Sequence, residues 1–379
     1  MTLQSVLIVG GGIGGLSTAI ALRQKGFEVT VIERYPDLHA SVFGVGIIQP
    51  GNALRALDMI GCADACIEAG YPAKQWGRML DAEGNHLRDM AGVTIEGTDL
   101  PPLNGVTRPK LHEILTNRAL EVGADLHYDV EFVSLEEGPD SVTATAKDGR
   151  TFTADILVGA DGVRSKVRKY VFDGAEMEPQ YIGQSAFRMN MPLLPEIDCI
   201  VLQGDDQGMA GYVPIGPDLA YMFYNAHMGT HERIPQDQLA PRLREYLARF
   251  GGLTARVRDE FVTDDAEIVL RPEESMGTPR PWHKGRVVLM GDSVHAITPH
   301  LGQGAAQAIE DGVVLAEELA VMGDDLDAAF LAYTDRRYER CKLIVDTSLA
   351  IGEWEMGRKP GFDNVSATIH VLDVMARPL

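Results

Sequence analysis

The 379-residue chain carries 34 lysines and arginines against 55 aspartates and glutamates, a formal net charge of −21. That balance leaves no surface for gripping a polyanion, so neither nucleic acid nor a membrane is an expected partner. Apolar residues make up 45%, no apolar run reaches the roughly 18 residues of a membrane span, and the four cysteines form no CxxC pair, so the chain reads as a globular cytoplasmic protein without metal site or disulfide framework.

Val6–Val9 is a short apolar run of the kind shown by a buried parallel strand. Gly10, Gly12 and Gly15 follow in G-x-G-x-x-G spacing, and a helix is expected from Ile13 to Lys25. Glu28–Ile32 reads as a second strand with Glu33 at its end. In such a unit Gly10 makes the tight turn, Gly12 lets backbone approach a pyrophosphate, and Gly15 lets helix and strand pack closely. Ile13 and Gly14 stand at the helix N-terminus that faces the phosphate charge, and Glu33 accepts hydrogen bonds from a ribose. The pattern predicts an ADP-ribose moiety, which NAD and FAD share. Arg34 suits a 2′-phosphate, the face of the adenine or a backbone phosphate, and the sequence leaves these open.

Further along, residues 142–162 read as a hairpin turning at Asp148-Gly149, then a buried strand ending in Asp161-Gly162. Residues 285–292 form another buried strand ending in Gly291-Asp292, followed by a loop and a helix from Ala305 to Met322, with Ala305, Ile309, Gly312, Leu315 and Leu319 on one face. Asp292 thus stands at the carboxyl end of a strand, where open α/β sheets bind ligands, and a carboxylate there suits a polyol chain. Gly302 and Gly304 admit a planar ring and offer N–H donors that stabilise negative charge on a reduced flavin, a benefit a nicotinamide does not share. FAD is therefore favoured.

These motifs together resemble the class A flavoprotein aromatic monooxygenases, the family of para-hydroxybenzoate and salicylate hydroxylases, over roughly residues 4–345. The resemblance implies that Asp161, in "GADGVRSKVR", serves FAD and the incoming nicotinamide, and that Asp292 binds the ribityl chain. It places Arg108 of "TRPKLHEIL" on FAD, the Val130 amide at the adenine, and Gly302, Gly304 and Ala305 beside the isoalloxazine. Val45 and Gly46 fall in the family's mobile loop, "GVGIIQPGNALRAL", where Ile48 stands at the position of a catalytic histidine in some pyridine hydroxylases. The implied chemistry is reduction of FAD by NAD(P)H, addition of O₂ to the flavin C4a, and transfer of the distal oxygen to a small aromatic or heteroaromatic substrate.

Between about 181 and 280 the βαβ pattern gives way to runs that read as antiparallel strands, at 184–191, 197–204, 208–216 and 219–227. Alternation puts Tyr221, Phe223, Asn225 and His227 on one face, which the resemblance turns toward the substrate pocket, and Met222 and Tyr224 on the other. Tyr221, Tyr212 and His227 are candidates to activate a phenol, with Pro299 beside the flavin. Arg188 is a candidate to pair a substrate carboxylate, and Phe223 to pack on the ring; His295 and His300 read as structural.

The expected fold is α/β: a Rossmann-like FAD-binding domain over 1–180, with a substrate-domain excursion near 72–105, and again over 281–345. An antiparallel substrate-binding domain spans 181–280 and a C-terminal helical segment 346–379; helices from Phe330 to Leu379 are expected to close the back of the molecule, with a homodimer as a possible assembly. Epoxidation, N-oxidation or a non-turnover flavin protein are the competing functions. Halogenation is disfavoured because Trp282 is followed by His283 and Lys284 and no W-x-W-x-I-P segment exists.

Overall fold

The N-terminal apolar run forms the strand Ser5–Val9, with Val6 to Val9 all buried. A strand apolar on both faces needs cover on both. It pairs in parallel with Glu28–Ile32 on one side and Ile156–Gly159 on the other. The six-stranded sheet continues through Val287–Leu289 and His283–Lys284 at one edge and Asp125–His127 at the other, and only His283–Lys284 runs antiparallel. The structure is a computed structural model describing residues 3–37, 46–205, 208–230, 232–323 and 325–379.

The helix Ile13–Gln24 packs along the helix Gly304–Met322. Glycines set how closely. A Cβ on Gly14 would lie 3.2 Å from the Ala308 Cβ, and one on Gly312 2.6 Å from Thr18 Oγ1. The second helix is buried without a break from Ala306 to Ala316, so it is a core helix rather than one with a single apolar face. The expected hairpin joins Val142–Ala146 to Thr151–Ala154, but not by a two-residue turn. Ala146 N–H donates to Arg150 O at 2.8 Å and Gly149 N–H to Ala146 O at 3.0 Å, with Gly149 at φ +88°, so the loop takes in Lys147 as well.

An eight-stranded sheet faces this unit. Its body is Val269–Gly277, Gln180–Pro192, Leu219–His227, Gly208–Gly216 and Ile200–Asp205, in that order and antiparallel. Gly77–Leu80 and His86–Met90 extend one edge and His295–Ala296 the other. Met222 and Tyr224 pack into a core with Leu243 and Leu247 of the helix Gln236–Leu247, leaving Tyr221, Phe223 and Asn225 to the opposite face. The C-terminal helices Leu326–Glu355 and Asn364–Ala376 do not simply close the back: Ile351, Glu355, Asn364, Val365 and Thr368 reach the cavity beneath that face. Among the described residues no helix is long and apolar enough to cross a membrane.

Candidate active site

Two concave spaces meet between the sheets. A trough runs from Gly12, Ile13 and Gly14 past Arg108, Ala160, Gly162 and Asp292 to Gly302, Gly304 and Ala305. A more enclosed cavity lies under the antiparallel sheet, walled by Trp76, Met79, Met90, Ile200, Leu202 and Met209 among others. Ile48, Arg188, Tyr221, Pro299 and Gly302 line both, so the two spaces adjoin there.

The trough is built for a phosphate-bearing ligand. Gly10 lies at φ +112°, and a Cβ on it would come within 2.3 Å of Ala160 O; one on Gly15 would lie 1.9 Å from Gly10 O. A Cβ on Gly12 would meet nothing within 4 Å, so that stretch of floor is bare backbone. The helices Ile13–Gln24 and Gly304–Met322 both begin at the trough, and neither has a side-chain hydrogen bond at its N-cap. Their first-turn N–H groups and positive dipole ends therefore stay available to an anion. Gly46 also lines the trough, where a Cβ would lie 2.4 Å from the Tyr221 ring.

Arg108 and Asp292 both line the trough and interact electrostatically. Burial raises the Asp292 carboxyl above its ordinary range, with Asp311 adding to the rise and His295 and Arg108 opposing it. Burial lowers Arg108, which Asp292 counters. Asp292 is seated by a network the sequence did not reveal. Asp311 Oδ2 accepts from Gly291 N–H at 2.9 Å and lies 2.6 Å from His295 Nε2, while Oδ1 accepts from Arg337 Nε at 2.7 Å. Arg337 also donates to Glu310 and Gln307, and its side chain is wholly buried. His295, Asp311 and Cys341 lie close enough together to hold a metal ion, but Asp311 is already engaged by Arg337 and Gly291.

Several predicted residues sit elsewhere than the sequence suggests. The Asp161 carboxylate is taken up by the start of the next helix, accepting from Lys166 N–H at 2.7 Å, Val167 N–H at 3.2 Å and the Ser165 hydroxyl, so Ala160 and Gly162 line the trough in its place. The Val130 amide is spent on Glu33 O at 2.8 Å. Glu33 itself accepts from Gly11 N–H at 2.7 Å and Tyr35 N–H at 3.0 Å, and Arg34 lies over the Tyr35 ring at 4.9 Å. His112, unnoticed in the sequence, bonds Gly11 O through Nε2 at 2.8 Å. Val45 lies outside the described residues.

On the cavity side, Tyr212 is not available to a substrate. It pairs in register with Met222, one position off the Tyr221 face, and its hydroxyl donates to Thr254 Oγ1 at 2.8 Å inside the other core. His227 is exposed at the strand end and does not line the cavity. Tyr221, Phe223, Arg188 and Pro299 do line it.

His300, read from the sequence as structural, also lines the cavity and centres a buried cluster. Its Nε2 lies 3.2 Å from Gln184 Oε1 and 3.5 Å from both Glu273 and Glu355, and its Nδ1 lies 3.0 Å from Thr298 Oγ1. Burial alone pushes the imidazole toward neutrality, but Glu355 and Glu273 outweigh it and raise His300 to about 9. A histidine raised on folding contributes stability that is complete below its unfolded pKa, near 6.5, and is lost as pH climbs through about 9. The stability difference between the wild type and His300→Gln, measured by urea unfolding, is therefore expected to shrink steadily between about pH 6.5 and 9.

A trough that presents two uncapped helix N-termini and a bare glycine floor is the fold's provision for a dinucleotide, and sequence comparison agrees. The family profile described as "FAD binding domain" matches residues 4–348. YetM of Bacillus subtilis (strain 168), which carries the name of an FAD-dependent monooxygenase, is 35% identical over 371 residues, 96% of this chain and 97% of YetM. The aurachin C monooxygenase/isomerase of Stigmatella aurantiaca is 34% identical over 369 residues, 93% of this chain and 90% of that protein. Among solved structures, Klebsiella pneumoniae HpxO complexed with FAD and uric acid has the same fold, with a TM-score of 0.83 at 22% identity over 98% of this chain and 92% of that one. With a matching family profile along nearly its whole length and monooxygenase relatives aligned end to end, this chain belongs to the FAD-binding-domain family and is an FAD-dependent monooxygenase.

Proposed function

We propose that the enzyme uses NAD(P)H and O₂ to insert one oxygen atom into a small aromatic or heteroaromatic substrate held in the cavity under the antiparallel sheet. The observation that carries this reading is the shared wall: Ile48, Arg188, Tyr221, Pro299 and Gly302 face trough and cavity together. Bound in the trough, FAD supplies a redox centre that activates dioxygen. Gly12, Ile13 and Gly14 would hold its pyrophosphate end, on a turn that Gly10 and Gly15 make possible by close packing, Asp292 and Arg108 its ribityl chain, and Gly46, Gly302, Gly304 and Ala305 its ring. Glu33 orders the Gly11 turn at the ribose end. Relatives support the substrate class: one is named a 2-heptyl-3-hydroxy-4(1H)-quinolone synthase and another an FAD-dependent urate hydroxylase.

The chain's own residues then do three things. The apolar wall, with Met79, Met90 and Met209, excludes water and adapts to the shape of a flat ring. The Arg188 guanidinium, with no hydrogen bond or ion pair to any described residue, takes an anionic or carbonyl oxygen of the substrate where the two spaces join. Burial raises the Tyr221 phenol, with Arg188 countering, so at neutral pH it is a hydrogen-bonding phenol rather than a base. Its place at the junction lets it orient a substrate hydroxyl.

Tyr221→Phe is expected to lower kcat about tenfold with FAD content unchanged, as loss of one hydrogen bond predicts. Arg188→Ala is expected to raise KM for anionic substrates about 10- to 100-fold, while a neutral analogue changes little. The decisive assay follows NADH and NADPH consumption by the yellow holoenzyme across phenols and heteroaromatics, with mass analysis of products. If no compound accelerates flavin reduction and no product gains an oxygen, the reading is wrong.

A further inference from the structure

Glu355 is an expensive residue where it stands. It closes the helix Leu326–Glu355, at the end where the helix dipole is negative, and its side chain is only 8% exposed. Its Oε2 is well served, accepting from Gln184 Nε2 at 3.0 Å and Asn225 Nδ2 at 3.1 Å, with His300 Nε2 at 3.5 Å. Its Oε1 receives no hydrogen bond from any described residue, and Glu355 lines the cavity. Asn225 lines the cavity beside it and is 4% exposed. A carboxylate only accepts, so the Asn225 NH₂ must face Glu355, which turns Oδ1 away, buried and without a partner. Two acceptor atoms, Glu355 Oε1 and Asn225 Oδ1, are thus left without a bonded donor, in a wall that also carries Arg188, Tyr221, His300, Asn364 and Thr368. Holding His300 in place accounts for one carboxylate oxygen, but not for the open one or for the Asn225 carbonyl.

On the reading of the cavity as the substrate site, we propose that Glu355 and Asn225 bind a hydrogen-bond donor on the substrate, an N–H or O–H group, at the end of the cavity away from the trough. Strand geometry sets the distance. Tyr221 at the junction, Phe223 and Asn225 follow one another along one face, about 7 Å per pair of residues. The enzyme thus selects a flat heteroaromatic with an oxygen acceptor at the Arg188 end and a ring N–H or hydroxyl at the far end. A carboxylate placed at the far end would meet Glu355 and be rejected. The favoured state of Glu355 is the charged one: burial works against it, but His300 and the Asn225 and Gln184 amides hold it below the ordinary carboxylate range.

The test is equilibrium titration of the holoenzyme, read by flavin absorbance, with 4(1H)-quinolone and its N-methyl derivative as probes. Methylation removes the donor and leaves both acceptors unpaired, so it is expected to weaken binding ~10- to 100-fold. In Glu355→Gln, and separately in Asn225→Leu, that ratio is expected to collapse toward one. Equal binding of the two probes by the wild type, or a ratio that survives both substitutions, overturns the proposal. Leu202→Trp, which fills the cavity, is the control for the underlying reading: if both probes still bind, the cavity is not the substrate site and reading and proposal fall together. If Leu202→Trp abolishes binding while the ratio ignores Glu355 and Asn225, only the proposal falls.

Discussion

Replacing Arg337 with methionine is expected to destabilise the protein by about 3–5 kcal/mol, the usual cost of removing one partner from a buried ionic network. The guanidinium is wholly buried and spans three acceptors, Asp311 at 2.7 Å, Glu310 at 2.5 Å and Gln307 Oε1 at 2.6 Å. Without it, two carboxylates at the centre of the helix Gly304–Met322 lose a wholly buried counter-charge that joins them, leaving His295 to Asp311 and Arg340 and Arg55 to Glu310. Lysine is expected to rescue little, since a single ammonium cannot reproduce the fork. The measurement is urea unfolding at neutral pH, with FAD content followed in parallel, because Asp311 also holds the Gly291 N–H beside Asp292. A pH series adds a signature. Burial works to raise Asp311, but His295 and Arg337 outweigh it and hold the carboxyl at about 2. A carboxylate depressed on folding contributes stability present above its unfolded pKa, near 3.9, and lost as pH falls toward 2. In Arg337→Met the folded-state carboxyl moves back toward its unfolded value, so that acid limb is expected to shrink and to end at higher pH. A variant as stable as the wild type would show that the network adds nothing.

The second large effect is expected from one motif and two glycines. In Gly15→Ala the new Cβ would sit 1.9 Å from Gly10 O, a backbone atom with nowhere to go, so the first helix must part from the first strand. Loss of soluble protein, or an unfolding midpoint lowered by the equivalent of about 3 kcal/mol, is expected. In Gly12→Val the added atoms meet open trough, so the apoprotein is expected to fold with unchanged stability and to lose FAD. Differential scanning of the apoproteins together with FAD absorbance separates the outcomes. If Gly12→Val keeps its flavin, the trough floor is not where the pyrophosphate lies.

Much of the architecture was legible because its causes are local. An unbroken apolar run such as Val6–Val9 demands cover on both faces, and the spacing of Gly10, Gly12 and Gly15 encodes contacts within one strand–turn–helix unit. The alternation along Leu219–His227 likewise sorted Tyr221 and Phe223 from Met222 and Tyr224 before any fold was known. Alternation says which residues share a face, however, and not where that face ends: His227 runs past the cavity into solvent, and Tyr212 is carried to the opposite side by its register with Met222. Competition for hydrogen bonds was equally hidden. Asp161 looked free for a cofactor, yet the helix Lys166–Val171 begins beside it with open N–H groups that it caps.

What only the tertiary structure decided was the charged interior. Arg337 and Glu355 lie in a stretch without any motif, and Asp311 and His300 looked structural or went unremarked, because a buried ion earns its meaning from partners distant in the chain. Gln184, Asn225 and His300 meet Glu355, and Glu273 meets His300, only when three strands of the eight-stranded sheet, the Pro299–Leu301 turn and the helix Leu326–Glu355 are assembled. The sequence by itself thus determined the nucleotide cradle, whose contacts are short-range and set by backbone sterics. The polar lining of the cavity was decided by packing between distant segments, which no local spacing records.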